Sequence, residues 1–127
     1  MSKKVMIVDD EPDILMTVGQ MLEMCGYEVI KAKDGKECIE ILKELPSNPD
    51  LVLLDIMMPD VNGWDVAAKI KENPEWSDIP IIFLTAKGDV MSVGMGNLAA
   101  EDYIVKPFNI KDLKERIDKI LNKGVSR

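Results

Sequence analysis

"LVLLDIMMPD", residues 51–60, is a run of four aliphatic residues that ends in a carboxylate, Asp55, followed by two methionines and a proline. A strand with one face in water alternates apolar and polar residues, because successive side chains point to opposite faces. Four aliphatic residues in succession instead fit a strand covered on both faces, as in a parallel sheet between two layers of helices. An unpaired carboxylate is costly to bury. Asp55 therefore either lies just past the core or is chemically employed.

The same kind of run recurs as "VMIV" (residues 5–8) and "IIFL" (residues 81–84), with weaker strands at "EVIKA" and "DYIV". Pro80 precedes the third strong run, at a strand start where a missing N–H is tolerated. Helical spacing lies between the strands. Ile14, Leu15, Val18, Met21, Leu22 and Cys25 form one stripe, with Pro12 in the first turn and Gly26 as a stop signal. Cys38, Ile41, Leu42 and Leu45 form a second, opened near Asp34 and closed by Pro46. A third runs from Trp64 through Val66, Ala67 and Ile70 and ends before Pro74. The last carries Leu113, Ile117, Ile120 and Leu121, with Asn109 as N-cap and Gly124 as stop. The segment "GDVMSVGMGNLAAE" holds Gly88, Gly94 and Gly96, and each interior glycine costs a helix about 1 kcal/mol relative to alanine. A short or irregular helix is expected there. Five alternations of strand and helix predict an α/β fold, a (βα)5 doubly wound five-stranded parallel sheet with helices on both faces. The 127 residues are read as one domain, with a core over about 3–123 and a short C-terminal tail, "NKGVSR".

Composition narrows the chemistry. A net charge of −7 argues against direct nucleic-acid binding, which needs a basic patch. No apolar run approaches the roughly 20 residues of a membrane helix, and the N-terminus lacks a signal-peptide pattern. A cytoplasmic location is the expectation. The absence of histidine excludes Ser-His-Asp triads, Cys-His pairs and the usual zinc sites. Cys25 and Cys38, both at apolar helix positions, are expected to be buried hydrophobes rather than a disulfide or metal pair.

In a doubly wound sheet, ligands bind outside the carboxyl ends of the strands. Asp9 and Asp10, with Glu11 following, end the first strand, Asp55 the third, Thr85 the fourth, and Lys106-Pro107 the fifth. Three carboxylates, a hydroxyl and an ammonium would meet in one pocket. Like charges so placed raise one another's pKa, and Mg2+ relieves this with carboxylate, carbonyl and water ligands. The backbone carbonyl of Met57 is a natural further ligand, whereas its soft thioether is not. Mg2+ and Lys106 would let an anionic phosphoryl donor approach Asp55, and carboxylates are known to form aspartyl-phosphate intermediates. Each group also has a plainer structural reading. The acids can open a helix, Thr85 can cap a segment, Lys106 can be a surface lysine, and Pro59 and Gly63 read as turn punctuation.

The motifs "VMIVDDEP", "LVLLDIMMPDVNG", "IIFLTA" and "DYIVKPF", in this order and spacing, resemble the receiver domain of two-component response regulators from Lys3 to about Lys123. The resemblance implies the flavodoxin-like strand order 2-1-3-4-5 and phosphorylation of Asp55 by a phosphohistidine of a histidine kinase or phosphotransfer protein. It implies Mg2+ held by Asp10, Asp55 and the Met57 carbonyl, with Asp9 assisting through water. Thr85 and Lys106 take the phosphoryl-sensing roles, Tyr103 is the switch aromatic, and the Lys106-Pro107 bond is cis. The plainer reading of Tyr103 is a strand aromatic with its hydroxyl at the surface. The main departure from the family is the glycine-rich "VGMGNLAA" and a slightly short interval from Thr85 to Lys106, which leaves the downstream protein partner unidentified.

Other function classes fit the residues less well than a phosphorylation switch that turns over no external substrate. A phosphatase of the haloacid dehalogenase type resembles this pattern but carries a second Asp two residues after the nucleophile, where this chain has Met57. A flavodoxin-like electron carrier needs a phosphate-binding loop where "DDEPD" is acidic. A pseudo-receiver that binds partners without phosphorylation is disfavoured because every expected acidic, hydroxyl and lysine position is filled.

Overall fold

The computed structural model describes residues 3–58, 62–86 and 102–122. In chain order they form β1 (Lys4–Val8), α1 (Pro12–Met24), β2 (Glu28–Ala32), α2 (Gly35–Glu44), β3 (Leu51–Asp55), α3 (Gly63–Glu72), β4 (Ile81–Ala86), β5 (Asp102–Lys106) and α4 (Ile110–Leu121). The five strands make one sheet in the order β2-β1-β3-β4-β5, parallel throughout. β3 is third in that order. It is hydrogen-bonded on both sides, with Val52 beside both Met6 and Ile81.

The unbroken apolar runs resolve into two alternating sets. Met6, Val8, Val52, Leu54, Ile81 and Phe83 face α2 and α3, packing on Cys38, Leu42, Val66, Ala67 and Ile70. Val5, Ile7, Leu51, Leu53, Ile82 and Leu84 face α1 and α4, packing on Val18, Leu22, Leu113, Ile117 and Leu121. Both faces are covered, so neither half of the alternation needs polar residues. Trp76 and Ile79 also join the α2/α3 core, although they lie between α3 and β4. The Lys71 ammonium donates to the carbonyls of Ser77 (3.1 Å) and Ile79 (2.8 Å) and ties this connection to α3.

The helix ends follow their sequence signals. The Asp34 carboxylate accepts from the Glu37 N–H at 2.8 Å, and Glu37 reaches back to the Lys33 N–H at 2.8 Å. Asn62 accepts from the Asp65 N–H. Asn109 caps α4, accepting from the N–H groups of Lys111 (2.8 Å) and Asp112 (3.2 Å). Replacing Asn109 with alanine is expected to cost about 1 kcal/mol. Thermal unfolding should show that as a midpoint about 3 °C lower; an unchanged midpoint would mean that water caps this helix equally well.

One expectation is corrected. Cys25 is exposed and lies one residue beyond α1, because its N–H closes the helix end on the carbonyls of Met21 and Leu22. Gly26 then turns the chain at φ +92°, a conformation that favours glycine, and the Cys25 side chain is left in solvent. Cys38 is fully buried, as expected. The glycine-rich segment expected to form an irregular helix, and the stop signal at Gly124, lie outside the described residues.

Candidate functional site

Parallel strands deliver their carboxyl ends to one edge of the sheet, and the reactive groups gather there. Asp9 directly follows β1 and prolongs its pairing, its N–H donating to the Ala32 carbonyl at 3.1 Å. Asp55 is the last residue of β3, Thr85 lies next to last in β4, and Lys106 ends β5. Asp9 and Thr85 are fully buried and Asp55 is 3% exposed, whereas Asp10 faces solvent. Carboxylate oxygens of Asp9, Asp10 and Asp55 lie within 4.8 Å of one another.

Lys106 reaches across the strand ends into this cluster. Its Nζ is 2.9 Å from Asp9 Oδ2, 3.0 Å from Glu11 Oε2 and 3.5 Å from Asp55 Oδ2. Two other oxygens are held by the backbone. Asp9 Oδ1 accepts from the Glu11 N–H at 2.9 Å, and Asp55 Oδ1 accepts from the Met57 N–H at 3.2 Å. Asp9 Oδ2 is buried and has the Lys106 ammonium as its partner among the described residues.

The electrostatics follow from this crowding. Burial, and then the neighbouring Asp9 charge, push the Asp55 carboxyl up to about 7. Burial likewise raises Asp9, against the opposing pull of Lys106. Burial alone would lower Lys106, but Asp9 and Glu11 outweigh it and hold the ammonium charged. Three carboxylates (Asp9, Glu11 and Asp55) lie within 3.5 Å of this ammonium, and Asp10 adds a fourth negative charge beside Asp9 and Asp55. A hard divalent cation on oxygen ligands fits that donor set and its excess negative charge.

Tyr103 sits on the neighbouring face of the sheet. Its ring stacks on Phe83 with centroids 5.6 Å apart, and Trp64 meets the other side of Phe83 edge-on at 4.6 Å. The Tyr103 hydroxyl is buried, without a hydrogen-bond partner among the described residues, which corrects the plainer reading of a surface hydroxyl. The Lys106-Pro107 bond is cis, as the resemblance implied. Met57 extends its side chain into solvent, 59% exposed, while Met58 packs into the core. Pro59 lies outside the described residues.

Sequence reading missed the part played by Glu11, which pairs with a lysine 95 positions away; nothing in the local pattern signals such a contact. A groove of about 430 Å³ opens beside Lys106, floored by Ile14, Val18, Phe108 and Ile110 and edged by Glu11 and Asp13. A larger cavity, about 660 Å³, lies at the opposite end of the strands beside Tyr27, whose hydroxyl donates to Asp118. The triple-carboxylate cluster is at the strand carboxyl ends instead.

Comparison with known proteins gives a consistent set of matches. Residues 5–118 match the family model described as the response regulator receiver domain. The probable transcriptional regulator ycf27 of Cyanophora paradoxa is 44% identical over 122 residues, which are 95% of this chain and 49% of that protein. The chain thus spans about half the length of the curated relatives it matches. Among solved structures, the response regulator protein TrrA of Thermotoga maritima in complex with Mg2+–BeF superposes with a TM-score of 0.82 at 39% identity, covering 94% of this chain and 99% of that one. The chemotaxis protein CheY4 of Vibrio cholerae superposes with a TM-score of 0.87 at 28% identity, covering 95% of this chain and 100% of that one.

Proposed function

Because the chain belongs to the response regulator receiver domain family, we propose that Asp55 is its phosphoacceptor and that phosphorylation there switches its partner-binding surface. The observation that carries this reading is the meeting of buried Asp55 and Asp9 with Lys106 and solvent-facing Asp10 at the strand carboxyl ends. A carboxylate oxygen of Asp55 forms the new P–O bond. The P–N bond of a donor phosphohistidine breaks, and its electron pair stays on the imidazole ring, which takes a proton from solvent. Lys106 places its ammonium where charge builds on the transferred group, an arrangement that stabilises phosphoryl transfer. Thr85, buried one strand over, is the hydroxyl that senses the group, and Tyr103 is the aromatic that follows it.

Mg2+, held by Asp10, Asp55 and the Met57 carbonyl with Asp9 acting through water, would neutralise the phosphoryl oxygens. The cluster fits it because every donor is a hard oxygen and three carboxylates crowd within 4.8 Å of one another. Met57 offers no proton two residues after the nucleophile, which disfavours a phosphatase acting on external substrates. The donor would be a histidine kinase, a phosphotransfer protein or a small phosphodonor. Relatives about twice as long are transcriptional regulators, so in a longer protein this domain would govern a DNA-binding part rather than touch DNA itself. No described helix is long and apolar enough to cross a membrane, which fits a cytoplasmic site of action.

The test is intact mass after incubation with acetyl phosphate. One phosphoryl adduct should appear, require Mg2+, be released by hydroxylamine as acyl phosphates are, and vanish when Asp55 is replaced by asparagine. An adduct that survives the replacement would move the acceptor elsewhere. No adduct from acetyl phosphate or a phosphorylated kinase, with Mg2+ still bound, would favour a pseudo-receiver.

A further inference from the structure

The start of α3 meets the end of β3 backbone to backbone. The Gly63 N–H donates to the Ile56 carbonyl at 2.7 Å. A Cβ added to Gly63 would lie 2.5 Å from the Asp55 carbonyl oxygen, 2.7 Å from Ile56 Cα and 3.1 Å from the Asp55 carbonyl carbon. All three are main-chain atoms and cannot swing aside. Gly19 is different, since its nearest neighbour is the flexible Lys31 side chain, at 2.8 Å. Gly63 has no positive φ, so its backbone is one that any residue can adopt. What the position requires is space. At the first residue of a helix, alanine would otherwise be at least as stable as glycine.

We propose that Gly63 is a positioning residue for phosphoryl transfer. Its missing Cβ lets α3 brace the 55–57 segment from behind and fixes where the Asp55 carboxylate and Met57 carbonyl stand. This rests on the reading of Asp55 as phosphoacceptor and of the same segment as a Mg2+ ligand. The carboxylate is tied to that segment by the Met57 N–H. A displaced 55–56 peptide therefore carries nucleophile and carbonyl away together. A misplacement of about 1 Å at reacting groups can cost a hundredfold in rate, and a smaller one about tenfold.

The experiment compares Gly63→Ala with Val66→Ala, which empties a buried position on the same helix and adds no atom. Both are studied in the full chain at a temperature where they are folded. Gly63→Ala is expected to weaken Mg2+ binding, measured by calorimetry, about fivefold and to slow labelling by acetyl phosphate about tenfold. Val66→Ala, though less stable, should stay within about twofold of the parent in both. A Gly63→Ala chain that matches Val66→Ala in both readouts overturns the proposal. If the parent binds Mg2+ but takes no label, the phosphoacceptor reading fails while the Mg2+ comparison still decides the role of Gly63. A parent that does neither removes both. Should Gly63→Ala not fold, the parent decides: its Gly63 amide resonance must shift in a Mg2+ titration with the same midpoint as that of Met57, and a stationary Gly63 resonance overturns the proposal.

Discussion

Asparagine in place of Asp55 is expected to stabilise the metal-free chain at pH 8 by about 4 kcal/mol, even as it abolishes phosphorylation. The native Asp55 carboxyl titrates at about 7, against 3.8 when exposed, because it is buried beside Asp9. Between those values the native state holds a proton that the unfolded chain has released. The stability contributed by that proton is complete below pH 3.8 and is lost as pH rises through 7. Asparagine never acquires the charge. The two chains should therefore unfold at similar temperatures near pH 4, and asparagine should lead by about 12 °C at pH 8. The comparison is made by calorimetry in EDTA. Added Mg2+ should close the gap, since it stabilises the parent more. Equal midpoints across the whole pH range would show that Lys106 fully compensates the site without a cation.

The opposite change should follow from Lys106→Met. Asp9 is fully buried, and the Lys106 ammonium, 2.9 Å away, is its ionic partner among the described residues. Methionine keeps most of the stem and removes the charge. Breaking a buried pair by removing one partner costs about 3 kcal/mol or more, so the midpoint at pH 8 should fall by about 10 °C. Glu11 adds little to this loss, because its side chain is 56% exposed and can turn to water. The deficit should shrink toward pH 5 as Asp55, pushed up to about 7 by burial, takes up a proton and relieves Asp9 of its neighbouring charge. Mg2+ should raise the midpoint of this variant more than that of the parent. Labelling by acetyl phosphate should slow about a hundredfold, the scale of losing one charge-stabilising donor. A deficit that is the same at pH 5 and pH 8 would assign the loss to packing of the stem rather than to charge.

Much of this was legible in the sequence because a parallel sheet buried on both faces writes itself as unbroken aliphatic runs. Residues 5–8, 51–54 and 81–84 carry that mark, and the polar group after each run marks the strand's carboxyl end. Asp34 and Asn109 were legible as caps because capping is a local interaction, within three residues. The less visible features arise from tertiary contacts. The stretch "NPEWSDIP" carries neither helical nor strand spacing, yet it places Trp76 and Ile79 in the core because Lys71 ties the connection back to α3. Helical spacing carried the first stripe one step too far, to Cys25, because periodicity does not report where the chain turns away. Gly63 also read as punctuation. Its actual neighbours are Asp55 and Ile56, eight and seven residues before it, and a main-chain contact of that kind leaves no pattern in side chains.

The central place of β3 bears on time. A strand paired on both edges and roofed on both faces opens to water only when the whole molecule opens, whereas edge strands and loops breathe far more often. A phosphoryl group on Asp55 would be moored to the part of the molecule that comes loose last. Its persistence would then be set by the hydrolysis of one acyl phosphate bond, and the clock of the signal would keep chemical time rather than the time of conformational fluctuation.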